Sequence, residues 1–459
     1  MVQNHWRVPL MTHHSFRSSK YGFWTCLIRC LELKCGGVLP VCLAYGRGKP
    51  TTLAWLIDGL AEIKTILSDG CQGVQFKLVN LCSDILAKEY VLHIKSFHTL
   101  DAPCDKCTAG GIRIENRTII PYTARSWPAR TDDDFRAMRS TNQWVENGPS
   151  PLTTFDNFDL VRDVVIDPMH CIYLGVTKTI MKAWVNGRGR MVKLSDGAIA
   201  VIERRLATFY QSVKRNTFER RYRAFRDVKE YKASEFRTLL LYAAIYVFKE
   251  LDENLYFHLM NLTIACRIFE DKSLLQDHGP YADKLLHTFV DQSAQLYGRS
   301  ILTINFHYLL HLYGDVTKHG TLSSFSAFAC ESFNISYGKY IRARKFPVVE
   351  FRNRYLDMVH VNQFLFDKPV ANQTWYLVGP GLENLYCSVS KRCYTDCQPY
   401  FFSPQSMDSR VFHIKEFTKD NFYDVSHEQE QFFFLNNTRE CLSVDDGDTF
   451  VAIPMLHTS

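Results

Sequence analysis

The chain has 459 residues, of which 46% are hydrophobic and 22% charged, with a formal net charge of +6. That balance is ordinary for a folded soluble protein, and the length is enough for two or three domains. No run approaches the roughly 20 apolar residues with which a helix crosses a bilayer. The best run, Leu239 to Phe248, is short, flanked by charge and reads as a buried helix.

At the N-terminus, Arg7, Arg17 and Lys20 precede Tyr21-Gly22-Phe23-Trp24. The apolar stretch that follows is broken by Arg29, Glu32 and Lys34, which makes a poor signal peptide. The protein is therefore read as not secreted, and its 15 scattered cysteines as reduced thiols of cytosol or nucleus. Residues 1–37 are left as an undefined segment, of the kind a truncation produces. From 38 to 190, strand and helix signals alternate. Val38 to Tyr45 reads as a strand, and Thr52 to Leu67 has helical spacing through Leu53, Leu56, Ile57, Leu60, Ile63 and Ile66. Val74 to Leu81 is a second strand, Asp84 follows it, and Ile85 to Ile94 returns to helix. The order strand, helix, strand, helix points to an α/β core.

Val164-Val165-Ile166 is a short apolar run that stops at Asp167. Pro168 then opens a helix whose apolar face recurs through Met169, Ile172, Tyr173, Val176, Ile180, Met181, Trp184 and Val185. A carboxylate at such a junction can meet a metal ion or can cap the helix; periodicity alone leaves both open. Residues 191–300 look all-helical. In 301–345 a helix over Asn305 to Lys318 precedes a second around Glu331. Beyond about 370, short strands alternate with turn signals such as Gly379-Pro380-Gly381 and Asp445-Asp446-Gly447-Asp448; one of those strands is expected at Gln431 to Leu435.

Cys104-x-x-Cys107 is half of a zinc site, because a two-residue spacer lets both thiolates reach one ion. His93 and His98 lie near enough in sequence to add a ligand. His307 and His311 share one helical face and could ligate, but are read as structural. Charge is uneven. Ile202 to Lys232 holds ten Lys/Arg against four acids, and Gly338 to Arg354 holds six against one. Two basic islands on a slightly acidic body suggest a polyanion surface.

Asp167-Pro168-Met169-His170-Cys171 with Leu174-Gly175-Val176 resembles the second-aspartate block of transposases of the CACTA (En/Spm-like) group, in particular the animal lineage. Other strings are similar to that family's blocks and come in its order. They are Leu43-Ala44-Tyr45-Gly46-Arg47-Gly48-Lys49-Pro50; Cys104-Asp105-Lys106-Cys107-Thr108; Ala233-Ser234-Glu235-Phe236-Arg237; His307-Tyr308-Leu309-Leu310-His311-Leu312; and Phe325-Ser326-Ala327-Phe328 through Glu331 and Asn334. The resemblance covers roughly residues 38 to 365.

The resemblance implies an α/β fold with an RNase H-like core. The first part of the core, with the CxxC insertion, would span 38–190, an all-helical insertion 191–300, the last part of the core 301–369, and a small C-terminal β-rich module 370–459. It implies a catalytic triad of acids, Asp84, Asp167 and Glu331, holding Mg²⁺ or Mn²⁺ for DNA strand cleavage and transfer. It also implies a structural Zn²⁺ on Cys104, Cys107 and His170. The implied partner is DNA at transposon ends, met by Arg220, Arg221, Arg223, Lys339, Arg342, Arg344 and Lys345, in the nucleus, with room for a homo-oligomer and no membrane. The family has a small residue or proline soon after the first aspartate, whereas Ile85 and Leu86 follow Asp84 here. That departure keeps open a catalytically inactive, domesticated or relic protein that binds DNA or another protein.

Overall fold

The computed structural model describes residues 2–13, 21–30, 38–70, 74–123, 127–139, 144–145, 148–187, 192–213, 217–333, 341 and 346–362, followed by short strands to residue 454. The chain divides into two compact units, one made of residues 1–179 and 272–366, the other of 180–271 and 367–459. Helix and sheet are mixed, as the α/β reading expects.

The first unit is built on one five-stranded sheet. Its strands are β1 (Val2–His13), β2 (Tyr21–Cys30), β3 (Leu39–Arg47), β4 (Val74–Ser83) and β7 (Val164–Ile166), in the order β3-β2-β1-β4-β7. β1, β4 and β7 run parallel, and β2 runs against both its neighbours. The parallel β4–β7 register pairs Ser83 with Ile166, so the residue after each strand, Asp84 and Asp167, leaves the sheet at the same level. Neighbouring strands lie about 4.8 Å apart, and that spacing brings the two aspartates side by side.

Two strands therefore come from the segment read as undefined. In β2, Phe23 through Ile28 is buried on both faces. A strand covered on both sides shows a continuous apolar run and no alternation, which hides it from a period-two search. Helix α1 (Ala54–Gly70) follows β3 and buries Leu56 and Leu60, as its periodicity predicts, while Ile66 stays exposed. Helix α2 (Ile85–Leu92) starts directly after Asp84, which caps it: Asp84 Oδ1 accepts from the Ala87 N–H at 2.7 Å. A small hairpin, β5 (Ile112–Ile114) with β6 (Arg117–Ile119), and a short helix, α3 (Asp132–Arg136), lie between α2 and β7.

After Asp167 the chain forms a π-helix over Met169–Thr177 that becomes α-helical at Lys178. Gly175 lies in its last turn. A Cβ there would meet the Asn305 side chain at 2.6 Å and the His170 carbonyl at 2.8 Å, so only glycine allows this close approach. The all-helical region expected over 191–300 is divided between the units. Helices Asp196–Ser212, Ala233–Thr238 and Glu253–Glu270 belong to the second unit, whereas Lys272–Tyr297 belongs to the first, where Phe289 stacks on Phe306 at 6.1 Å.

In the second unit, Leu239 to Phe248 is almost wholly buried, and Trp184 packs edge-on against Phe248 at 5.3 Å. Beyond residue 370, six short strands close into a barrel in the order Tyr400–Phe402, Val411–Phe417, Tyr423–Ser426, Phe450–Pro454, Thr438–Asp445, Trp375–Val378. The strand expected at Gln431 to Leu435 lies outside the described residues. Among the described residues, no helix is long and apolar enough to cross a membrane.

Candidate functional site

Two groups of chemically capable side chains lie within the first unit. The first is a metal-ligating cluster of Cys104, Cys107, His307 and His311, whose ligand atoms all lie within 4.8 Å of one another. Cys107 Sγ is 3.2 Å from His307 Nε2, Cys104 Sγ is 3.7 Å from His311 Nε2, and the two Nε2 atoms are 3.1 Å apart. Zinc bonds of about 2.0–2.3 Å in a tetrahedron set neighbouring donors about 3.3–3.8 Å apart, close to these separations. The cluster could hold a metal ion such as zinc, with two thiolates and two imidazoles matching the preferences of that ion. Three of the four residues are fully buried. Burial pushes the Cys104 thiol up, while the hydrogen bond from Cys104 holds Cys107 below its ordinary value.

Among the described residues, the half-site read from the cysteines is thus gathered with His307 and His311, whereas the ring of His170 lies on Asp167. The signal for the missing pair is a four-residue spacing on one helical face, but that spacing is also how core positions recur. Of the other two candidates, His93 caps α2 and its Nδ1 meets the Gly148 carbonyl at 3.1 Å, and His98 is exposed; neither belongs to the cluster.

The second group contains the three acids. Asp167 is buried, and both of its oxygens accept two hydrogen bonds. Oδ1 takes the N–H groups of Met169, at 3.1 Å, and Ala327, at 2.9 Å. Oδ2 takes the His170 N–H at 3.0 Å and its ring Nδ1–H at 2.6 Å. Burial would raise this carboxyl, but the His170 hydrogen bond and charge, with the backbone donors, outweigh it and hold Asp167 below the usual carboxylate range. His170 faces the other way on the same pair. Burial would lower it, but Asp167, and then Asp84 and Glu331, raise it to about 9. The three acids thus hold it towards its protonated form.

Glu331 lies in a helical segment at 328–333, with Oε1 4.0 Å from His170 Nε2. Burial raises its carboxyl; His170 opposes this, and the charges of Asp167 and Asp84 add to it. All three acids therefore share one electrostatic neighbourhood around His170. Asp84 spends one oxygen on the α2 cap, Asp167 spends both, and Glu331 is about one-third exposed.

The residues expected to meet DNA divide. Arg220 and Arg221 are exposed, beside the exposed Tyr222. Arg223 is engaged: its Nε lies 3.0 Å from Glu235. Lys339, Arg342, Arg344 and Lys345 lie outside the described residues. Compared with known proteins, the chain matches no family model and no curated relative.

Proposed function

We propose that the chain is a transposase-like protein of the CACTA type, whose acids Asp84, Asp167 and Glu331 form a divalent-metal site for DNA strand cleavage and transfer. The observation that carries this reading is the β4–β7 register, which sets Asp84 and Asp167 at the ends of adjacent parallel strands while His170 links Asp167 to Glu331. Carboxylates gathered this way suit Mg²⁺ or Mn²⁺, which take oxygen ligands. Two such ions can activate an attacking hydroxyl and stabilise the leaving oxygen. The sheet order, with β2 alone antiparallel to its neighbours, is consistent with an RNase H-like core. In this reading DNA lies against the exposed Arg220 and Arg221, and the protein acts in the nucleus.

A second reading is favoured by the saturation of Asp167. A carboxylate has about four acceptor positions, and here all four are taken. For Asp167 to ligate a metal, His170 must first give up Oδ2. A protein that never makes this exchange keeps the fold and the acids and serves as a DNA- or protein-binding module without cleavage. The test is nicking of supercoiled plasmid by purified full-length protein with Mn²⁺. Nicking that is lost in Asp84→Asn and Glu331→Gln supports the enzymatic reading. No nicking by wild type, with DNA still bound, supports the binding module.

A further inference from the structure

We propose that the Cys2His2 centre positions the acid cluster, through two buried charged residues planted on the turn between its cysteines; this rests on reading the three acids as one site. Cys104 and Cys107 are separated only by Asp105 and Lys106. On an ordinary surface turn such residues would be solvated, yet Asp105 is fully buried and Lys106 nearly so. Charged residues are buried in this way when they are paired, and the partners of these two flank the acids.

Asp105 reaches α2. Its Oδ2 is 3.4 Å from Lys88 Nζ, and its Oδ1 accepts from the Tyr308 hydroxyl at 2.6 Å. Lys88 also lies 4.8 Å from the centre of the Tyr308 ring. The Lys88 N–H donates to the carbonyl of Asp84 at 2.9 Å, so this pair grips the turn of helix that Asp84 caps. Lys106 reaches β7. Its Nζ donates to the carbonyls of Val161 and Val164, the latter at 2.7 Å, and lies 3.6 Å from Asp315 Oδ1. Asp315 Oδ2 in turn accepts the N–H of Ile166, the residue before Asp167, at 2.7 Å. One side chain of the turn thus reaches the first turn of α2, which follows β4, and the other reaches β7 directly at Val164 and through Asp315 at Ile166. Asp167 extends the connection to the segment carrying Glu331 through the Ala327 N–H.

In this scheme the metal adds a common partner that fixes the conformation of the turn. Both cysteines must face one ion. The Lys106 N–H meets Cys104 Sγ at 3.3 Å, and Arg130 Nε donates to the carbonyls of Cys104 and Cys107. Without the ion, the four ligands lose their common partner and the turn relaxes, carrying Asp105 and Lys106 with it. Lys88, Asp105, Lys106 and Asp315 are positioning residues in this scheme, since none of them belongs to the acid cluster itself.

The test is hydrogen exchange by mass spectrometry on the full zinc-loaded chain, before and after stripping with a chelator. Stripping should speed exchange at least about fivefold in peptides covering 81–88 and 164–171, while 39–47 stays within about twofold. The double variant Lys88→Met/Asp105→Asn, which removes the pair together and leaves no lone buried charge, should keep its zinc and still show faster exchange over 81–88. Zinc-loaded Asp315→Asn should do the same over 164–171. The proposal is overturned if stripping affects only 104–107 and 305–311, or if both variants keep wild-type exchange at the acid segments. Should stripping unfold the chain, the two zinc-loaded variants decide alone. Exchange does not depend on nicking, so an inactive protein would count against the cleavage reading and leave this outcome legible.

Discussion

The backbone N–H of Ala327 donates to Asp167 Oδ1 at 2.9 Å, across 160 residues of sequence. Ala327 supplies the first helical carbonyl to the Glu331 N–H, also at 2.9 Å. Asp167 therefore serves two helix starts at once, its own and that of the segment carrying Glu331. Helix N-termini present unpaired N–H groups and a partial positive charge, and a buried carboxylate shared between two of them fixes their relative position.

Asp167→Asn should destabilise the first unit by about 3 kcal/mol, because a charged acceptor with four donors becomes a neutral one that cannot serve them all. Chemical denaturation measures this. A change under about 0.5 kcal/mol would mean that the two helix starts hold without the carboxylate.

The Asp167–His170 pair makes stability depend on pH in a direction set by the histidine. The His170 pKa is raised in the folded state to about 9, from an unfolded value of about 6.5. Its contribution is fully present below about pH 6.5 and is lost as pH rises through 9, amounting to at most about 3 kcal/mol. Asp167, whose pKa is depressed, acts at the other end: its contribution is lost as pH falls below the usual carboxylate range. Denaturation midpoints between pH 6.5 and 9 should fall in wild type and fall less in His170→Asn. Parallel profiles for the two proteins would show that His170 is not held as a cation.

Purified protein should carry about one equivalent of zinc in its Cys2His2 centre. His307→Ala and Cys107→Ala should lose it, and His170→Ala should keep it. Elemental analysis separates the two ligand sets, since loss of zinc in His170→Ala with retention in His307→Ala would restore the set implied by the resemblance.

Arg220 and Arg221 should contribute to DNA binding and Arg223 to folding. Replacing the first two by Gln should reduce the slope of log affinity against log salt by about 2, one for each phosphate no longer neutralised. Arg223→Gln should leave the slope nearly unchanged and lower stability, because the buried Glu235 would keep only the Lys232 N–H and lose its cationic partner. Equal slopes in wild type and the Arg220/Arg221 variant would mark these arginines as ordinary solvated surface.

The sequence makes the local parts of this arrangement legible and the long-range parts not. Asp84 and Asp167 can be placed at strand ends because a short apolar run, an acid and a helical period follow one another within a few residues. The helix cap that competes with a metal role for Asp84 is present in the structure, and an acid with one capped oxygen retains another for a metal. β1 and β2 are not legible. β2 is covered on both faces, and β1 holds Asn4, His5 and Arg7 among its apolar residues. His307 and His311 read as core because burial and ligation share one spacing, and only the fold brings them to cysteines some 200 residues away. The engagement of Arg223 by Glu235 is hidden for a similar reason, since composition counts charges without pairing them.

Anomalous scattering from crystals of the zinc-loaded protein soaked in Mn²⁺ tests directly whether Asp84, Asp167 and Glu331 form a metal site. Manganese is expected within about 2.1 Å of carboxylate oxygens of Asp84 and Glu331, with the His170 ring displaced from Asp167 Oδ2. A soaked crystal with no manganese among the three acids, and with His170 still on Asp167 at 2.6 Å, would contradict such a site and leave the acids as the scaffold of a binding protein.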